Sequence, residues 1–258
     1  MNKLFNANTY KVLPSLLLVS GLILPASNAV AETFKASSAK YPVALVELYT
    51  SQGCSSCPPA ERWLGGLEDS GIKADSVVPL ALHVDYWDYI GWKDQYAQKY
   101  FTTRQYQYEK TKHSKSVYTP QIIFNGKDVR GQNLSDNLSG QRQKISPVAF
   151  NVKAETNNNR LKVAVDFSKI DTIAKNSNVV LVVAENGLVD KIKSGENAGR
   201  TLTHEHVVRV WKNLGKIRNN FALDVNLKPD WKKDNLELVI IVETNDMQTQ
   251  QALQLVLK

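Results

Sequence analysis

The chain has 258 residues, of which 43% are hydrophobic and 22% are charged, so it can bury one large core or two smaller ones. Its formal net charge is +7, but lysines and acids are interspersed along the chain and no arginine-rich block occurs. Nucleic-acid binding requires a concentrated basic surface, so the charge pattern argues against a nucleic-acid partner.

The N-terminus has the pattern of a secretory signal peptide. Lys3 and Lys11 stand in a start without acids, an apolar run covers residues 12–24, and Ala29–Ala31 supplies small residues at a cleavage site. The run is interrupted by a proline and a glycine and is too short to span a bilayer. We therefore predict a signal peptide over 1–31, a periplasmic or secreted location, and no membrane-embedded segment after cleavage; an uncleaved N-terminal anchor is the alternative.

Both cysteines of the sequence lie in one motif behind the first predicted strand. Residues 43–49 are apolar and β-branched, as expected of a strand buried on both faces. They lead into Thr50-Ser51-Gln52-Gly53-Cys54-Ser55-Ser56-Cys57-Pro58-Pro59. A helix is predicted from Pro59 to Glu68, because prolines are tolerated in a first helical turn. A strand that delivers a Cys-x-x-Cys pair to a helix N-terminus is typical of redox proteins.

The short spacing of the cysteines argues against a purely structural bridge. Cys54 and Cys57 are three positions apart, so their disulfide restrains the unfolded chain little compared with a long-loop bridge. In an oxidising compartment the pair is expected to oxidise. A catalytic or metal-binding pair explains the motif better.

Further α and β elements follow in alternation up to residue 145. The predicted elements are a strand at 77–84, a helix at 93–112, a strand opened by Pro120, a hairpin turn at Asn125-Gly126, and a helix at 134–145. Between the first two lies an aromatic segment, 85–92, which includes Tyr86 and Trp87. It predicts either a packed corner or one wall of a substrate groove.

The pattern of predicted elements changes at Pro147. Strands are predicted at 148–155, 161–167, 179–184, 201–211, 221–227 and 236–243, and residues 248–258 form a last strand or a short helix. Short turn-rich links and almost no helix favour an antiparallel sandwich. The predicted organisation is an α/β domain over 41–145 and a β-rich domain over 147–258.

Four spaced blocks resemble one known family. They cover residues 46–60, 83–92, 117–121 and 197–209. The chain resembles a family of secreted bacterial thioredoxin-like proteins, of the Cys-Ser-Ser-Cys-Pro-Pro type, whose function is unknown. The resemblance implies an α/β thioredoxin-like domain followed by an antiparallel β-sandwich-like domain. It supplies no established reaction.

The two cysteines have different predicted roles. Cys54 is expected to be the attacking thiol, because unpaired N–H groups and the dipole at a helix N-terminus favour its thiolate. Cys57 is expected to resolve the mixed disulfide. Thr119-Pro120 resembles the Thr–cis-Pro pair that faces the cysteines in thioredoxin-like proteins. A cis bond there would leave the Thr119 backbone free to pair with an extended substrate, and Tyr118 would flank it.

Glu47 is a charged residue inside the first apolar strand. An ionised, unpaired acid there is costly, so it should be neutral, solvated or partnered. It resembles the buried acid that many thioredoxins use to accept a proton from the resolving cysteine. A structural hydrogen bond is the other option.

The sequence supports one leading function and two alternatives. The leading hypothesis is an exported thiol–disulfide oxidoreductase that needs no cofactor and acts on protein or small-molecule disulfides with a redox partner protein. The first alternative is a copper-binding or delivery module that uses Cys54 and Cys57 with one of His83, His204 and His206, the last two sharing a strand face. The second is a binding protein with vestigial cysteines.

Overall fold

The computed structural model describes residues 32–112, 116–129, 138 and 144–258, and strands dominate these residues. In chain order the elements are β1 (Glu32–Ser37), β2 (Ala44–Thr50), α1 (Cys57–Gly65), β3 (Val77–His83), α2 (Lys99–Lys112), β4 (Gln121–Phe124), β5 (Lys127–Asp128), β6 (Val148–Asn157), β7 (Arg160–Ile170), β8 (Asn178–Glu185), β9 (Leu188–Lys191), β10 (Thr201–His204), β11 (Val207–Lys216), β12 (Asn220–Asn226), β13 (Leu236–Glu243) and β14 (Thr249–Val256), with short 3₁₀ turns at Asp88–Ile90, Thr172–Ala174 and Lys233–Asn235. The predicted signal peptide, and nearly all of the helix predicted at 134–145, lie outside the described residues.

The predicted α/β thioredoxin-like fold class is wrong, because the protein is mostly β with several sheets. The largest sheet has eight strands in the order β14-β13-β8-β11-β3-β2-β4-β5, and it mixes strands from both halves of the chain. Within it only β2–β3 and β3–β11 pair in parallel. An α/β fold needs helices to link and cover parallel strands. The first 145 residues alone have the thioredoxin-like order of elements, whereas antiparallel strands from later residues extend the same sheet.

Most of the predicted strands are present. The apolar run predicted at 43–49 forms β2, and the run at 77–84 forms β3. The strand predicted at 201–211 is divided into β10 and β11, because His206 has a left-handed φ of +56° that a continuous strand does not allow. The last segment forms a strand, β14, rather than a helix.

The position of β8 between two cores explains why its sequence is continuously apolar. One face, with Val179, Leu181 and Val183, packs in a core with β6, β7 and β12 of the four-stranded sheet β1-β6-β7-β12. The other face, with Val180 and Val182, packs in a core that includes β2, β3 and α2. A strand buried on both faces has no polar side to alternate with. The described residues cluster as one compact unit, and the predicted domain boundary at 147 stays a prediction.

Strand β2 has a different helix packed against each of its two faces. Ala44, Val46 and Leu48 face the apolar underside of α1. Leu45 and Tyr49, on the opposite face, contact α2 residues. Because side chains alternate along a strand, Thr50 belongs to the α1 face and Glu47 to the α2 face.

A buried ion cluster on the α2 face joins β2, α2 and β13. The Arg104 Nε donates to Glu47 Oε1 at 2.8 Å, and its two terminal nitrogens donate to both oxygens of Glu243, at 2.8 and 3.2 Å. The guanidinium also stacks over Trp211, 4.3 Å from the ring centre. Burial raises the pKa of Glu47 although Arg104 acts to lower it. One permanent cation therefore holds two buried carboxylates.

Removing this cation should destabilise the fold strongly. We expect Arg104→Met to lower the free energy of unfolding by about 3–5 kcal/mol, because it leaves buried carboxylates without a partner. Urea denaturation measures the change. The control is Arg160→Met, which removes an exposed pair with Asp224 at 3.4 Å and should cost under about 1 kcal/mol. Similar losses in both variants would contradict the assignment.

Candidate cysteine–histidine site

The two cysteines form a disulfide between β2 and α1. Their Cα atoms are 5.4 Å apart, and the Cys57 N–H donates to the Cys54 carbonyl at 3.2 Å. Both cysteines are buried, whereas Ser55 and Ser56 between them are exposed. The disulfide thus lies directly beneath an exposed two-residue loop.

Trp87 connects the cysteine loop to the Thr119-Pro120 segment. Its Cβ would be 3.1 Å from any Cβ added at Gly53, so the residue before Cys54 must be small. Its indole Nε1 donates to Thr119 Oγ1 at 2.7 Å. The Thr119–Pro120 peptide bond is cis, as the resemblance implied. The Trp87 side chain therefore lies between the Thr119-Pro120 segment and the cysteine loop.

The other two predicted substrate-binding residues differ, because Tyr118 is hydrogen-bonded within the protein whereas the buried hydroxyl of Tyr86 has no hydrogen-bond partner among the described residues. The Tyr118 hydroxyl donates to the Asp128 carboxylate, 2.8 Å away, and its carbonyl accepts from Gln105. Tyr86 is half-buried, and burial raises the pKa of its hydroxyl to about 12, so the group is protonated at neutral pH. A role for Tyr86, Trp87 and Tyr118 in substrate binding stays a prediction.

The structure gives Glu47 a structural partner. Its carboxylate binds Arg104, and it points to the α2 face of β2, opposite the face on which α1 packs. The hydrogen bond that the sequence left open as the second option for this acid is present.

A different acid, Glu61, lies one helical turn after Cys57 on the buried face of α1. The buried face of α1 presents Cys57, Glu61 and Leu64, which follow helical spacing. The Glu61 carboxylate accepts a hydrogen bond from Thr50 Oγ1 at 2.5 Å and another from His204 Nδ1. Burial alone would raise its pKa, but the His204 hydrogen bond and the nearby histidines hold the pKa of Glu61 below its usual range.

Gln52 determines the protonation pattern of His204. The Trp92 Nε1 donates to Gln52 Oε1 at 2.9 Å, which fixes the amide so that its Nε2 faces Asp190 Oδ2 at 2.9 Å and His204 Nε2 at 3.2 Å. An amide nitrogen can only donate, so His204 Nε2 accepts. The proton of the neutral ring is therefore on Nδ1, where it is donated to Glu61.

His83 lies beside His204, with the two rings 5.3 Å apart in an edge-to-face contact. Its Nδ1 is 2.7 Å from Asp94 Oδ2, which also accepts from the Gln52 backbone N–H at 2.8 Å. Burial opposes a charge on His83, but Asp94 and the other nearby carboxylates raise its pKa. Burial also opposes the charge on Asp94, and His83 holds the pKa of Asp94 below its usual range.

The segment between β9 and β10 holds the cysteine loop from the other side. The Asn197 side-chain nitrogen donates to the carbonyls of Gln52 and Cys54, at 2.9 and 3.0 Å. The Glu196 carboxylate accepts from the Ser55 N–H at 3.0 Å. The loop that contains Cys54 is thus anchored by residues about 140 positions away in the chain.

The structure brings together part of the predicted metal set. His83 and His204 are neighbours, but His206 is not on the same strand face as His204, because it lies in the turn after β10 and pairs with Glu237 at 3.0 Å. Cys54 and Cys57 are bonded to each other rather than present as thiolates. The described residues that sequence reasoning missed are Gln52, Glu61, Asp94, Asp190 and Asn197. Glu61 could have been found from its spacing of four residues after Cys57 in a predicted helix.

Fold and site together define a mostly β protein with a Cys-x-x-Cys disulfide set above a buried histidine–carboxylate network. The chain belongs to the family described as "Protein of unknown function (DUF1223)", whose profile matches residues 45–243. No curated protein matches it. This confirms the expected family of unknown function, but nothing confirms a wider thioredoxin-like superfamily.

Two solved structures are similar to this chain. Protein AGR_C_4864 from Agrobacterium tumefaciens is 26% identical, with a TM-score of 0.59 over 85% of this chain and 97% of that one. HBP35 of Porphyromonas gingivalis is 15% identical, with a TM-score of 0.60 over 84% of this chain and 76% of that one. The second likeness concerns the fold alone.

Loosening the Asn197 anchor should expose the disulfide. We expect Asn197→Ala to raise the rate at which dithiothreitol reduces the disulfide by about tenfold, because two buried carbonyls lose a donor and each bond contributes roughly 0.5–1.5 kcal/mol. Thiol titration against time measures the rate. Asn226→Ala, at an exposed strand position, is the control and should leave the rate unchanged. An unchanged rate in Asn197→Ala would show that this contact does not restrict access.

Proposed function

We propose that the protein is an exported thiol–disulfide oxidoreductase that acts on protein or small-molecule disulfides through Cys54 and Cys57. The observation that carries the proposal is the disulfide between them at the start of α1. These are the only cysteines in the sequence, and a bridge across so short a loop adds little stability. Reversible thiol–disulfide exchange accounts for the cysteine pair, whereas stabilisation of the fold does not.

The surroundings of Cys54 favour its thiolate. It lies three residues before the first residue of α1, where the helix dipole presents positive potential, and the first turn of the helix contains no acid. Pro58 and Pro59 carry no N–H, so they contribute no donor. The Ser56 hydroxyl is within reach, with its Oγ 3.4 Å from Cys54 Sγ. These features support Cys54 as the attacking sulfur.

The proposed reaction exchanges two electrons between the cysteine pair and a substrate disulfide. The Cys54 thiolate attacks one substrate sulfur, forming a mixed disulfide and releasing the first substrate thiolate. The Cys57 thiolate then attacks Cys54 Sγ, which breaks the mixed disulfide, releases the second substrate thiolate and restores the Cys54–Cys57 bond. A dithiol partner protein supplies the two electrons for the next cycle by the same exchange in reverse.

The expected location and partners follow from the sequence. The signal-peptide pattern supports export, where substrate disulfides persist. No helix within the described residues is long and apolar enough to cross a membrane. The dispersed charge gives no reason to expect a nucleic-acid partner.

Trapping the mixed disulfide tests the proposal. In Cys57→Ser the second attack cannot occur, so we expect adducts to accumulate on Cys54 and to be released by dithiothreitol. Mass spectrometry of the protein isolated from the exported fraction of its own cells identifies the adducts. Cys54→Ser is the matched control and should accumulate far fewer. If Cys57→Ser forms no adducts and the reduced wild-type protein also fails to reduce insulin, the proposed function is wrong.

A further inference from the structure

The cluster beneath α1 has a donor arrangement that thiol exchange does not use. One ligand atom from each of Glu61, His83 and His204 lies within 4.8 Å of the other two. All three residues are buried: the exposed fraction is 6% for Glu61, 0% for His83 and 1% for His204. They come from α1, β3 and β10, so the fold assembles them from three separate elements.

We propose that Glu61, His83 and His204 form a binding site for a divalent transition-metal ion of the Zn²⁺ class. Two imidazoles and one carboxylate are ligands that such ions accept, and three protein ligands leave a further coordination position open. The site differs from a thiolate site, because both sulfurs are bonded to each other above it. It therefore does not depend on the proposed thiol chemistry.

His83 provides the most direct support. Its Nδ1 contacts Asp94 Oδ2 at 2.7 Å, while its Nε2 has no hydrogen-bond partner within the part of the chain that the structure describes, although the atom is buried. Buried polar atoms are nearly always paired. A histidine held by a carboxylate on one nitrogen, with the other nitrogen available, is the usual arrangement of a metal ligand.

Glu61 and His204 can accommodate the ion by exchanging one proton. Glu61 and the Nδ1 of His204 share a hydrogen atom, and an ion at this position would replace it. The ring would then carry its proton on Nε2, so the Gln52 amide nitrogen, which faces that atom at 3.2 Å, would keep only its hydrogen bond to Asp190 Oδ2.

The charge of the cluster also favours a cation. Glu61, Asp94 and Asp190 contribute three carboxylates, whose ion-pair partners among the described residues are histidines and not lysine or arginine. Buried charges require compensation, and protonation of His83, which these carboxylates favour, would offset only one of the three. A divalent ion between the carboxylates and the two rings would offset most of this charge.

Metal binding is tested on the mature chain with its disulfide intact. After removal of metal with EDTA and dialysis against Zn²⁺, we expect one Zn²⁺ per chain by elemental analysis, and a higher Tm than in the metal-free protein. The Co²⁺ form should show the absorption of a nitrogen–oxygen site without a sulfur-to-cobalt charge-transfer band. Absence of stoichiometric Zn²⁺ would overturn the proposal.

Variants identify the ligands. His83→Gln and Glu61→Gln should abolish stoichiometric binding, and Asp94→Asn should weaken it by about 10–100-fold. His206→Gln is the matched control, because this histidine also pairs with a carboxylate but lies outside the cluster, and it should bind one Zn²⁺. The Cys54→Ser/Cys57→Ser double variant should also bind one Zn²⁺.

Two results separate this site from the alternatives. Loss of Zn²⁺ in the double cysteine variant, or sulfur in the first shell by X-ray absorption of the wild-type Zn²⁺ protein, would assign the metal to thiolates and overturn the proposal. The X-ray absorption measurement needs no variant, so it remains decisive if a buried substitution prevents folding. Failure of Cys57→Ser to trap substrates would leave the metal site unaffected, because that experiment tests the sulfur chemistry alone.

Discussion

The hydrogen bonds of Gln52 are the constraint on which the rest of the site depends. Its side-chain oxygen accepts from Trp92, its side-chain nitrogen donates to Asp190 and faces His204, its backbone N–H donates to Asp94, and its carbonyl accepts from Asn197. The residue is fully buried, so any lost partner would leave a polar group unpaired at a cost of about 1–3 kcal/mol. A single residue, two positions before Cys54, thus ties the segment around residues 92–94 and the β9–β10 hairpin to the cysteine loop.

This constraint explains why the later part of the chain belongs to the site. Asp190, Asn197 and His204 lie in or between β9 and β10, a two-stranded sheet apart from the two large ones. That hairpin contacts the cysteine loop directly, while β8, β11 and β13 continue the sheet that contains β2. The segment after residue 147 therefore supplies both a structural support and functional side chains, which a redox pair with an independent β domain attached would not require.

The sequence predicts local features well and long-range ones poorly. The apolar runs of β2 and β3, and the cysteine pair between β2 and α1, follow from periodicity and spacing, because the residues that determine them are adjacent. The pairing of Gln52 with Asp190 spans 138 positions and leaves no local signal. The helix predicted from Lys93 starts only at Lys99, because the carboxylate of Asp94 is used by tertiary hydrogen bonds to Gln52 and His83 and the propensity of the segment is overridden. The fold class failed for the same reason, since the strands that make the protein mostly β join β2 from far along the chain.

Two buried clusters of charged and polar groups lie on opposite faces of β2, and the basic residue in each distinguishes them. On the α2 face, Glu47 is held by Arg104, whose charge is permanent, so this cation cannot exchange a proton. On the α1 face, Glu61 is held by His204, a group that can be neutral, charged or bound to a metal ion. A fold that needed only stability could have used an arginine or apolar side chains in both places, since buried ion pairs contribute little net stability. The histidines lie on the face that carries Cys57, and this placement argues that the α1 side of β2 is where the chemistry of the protein occurs.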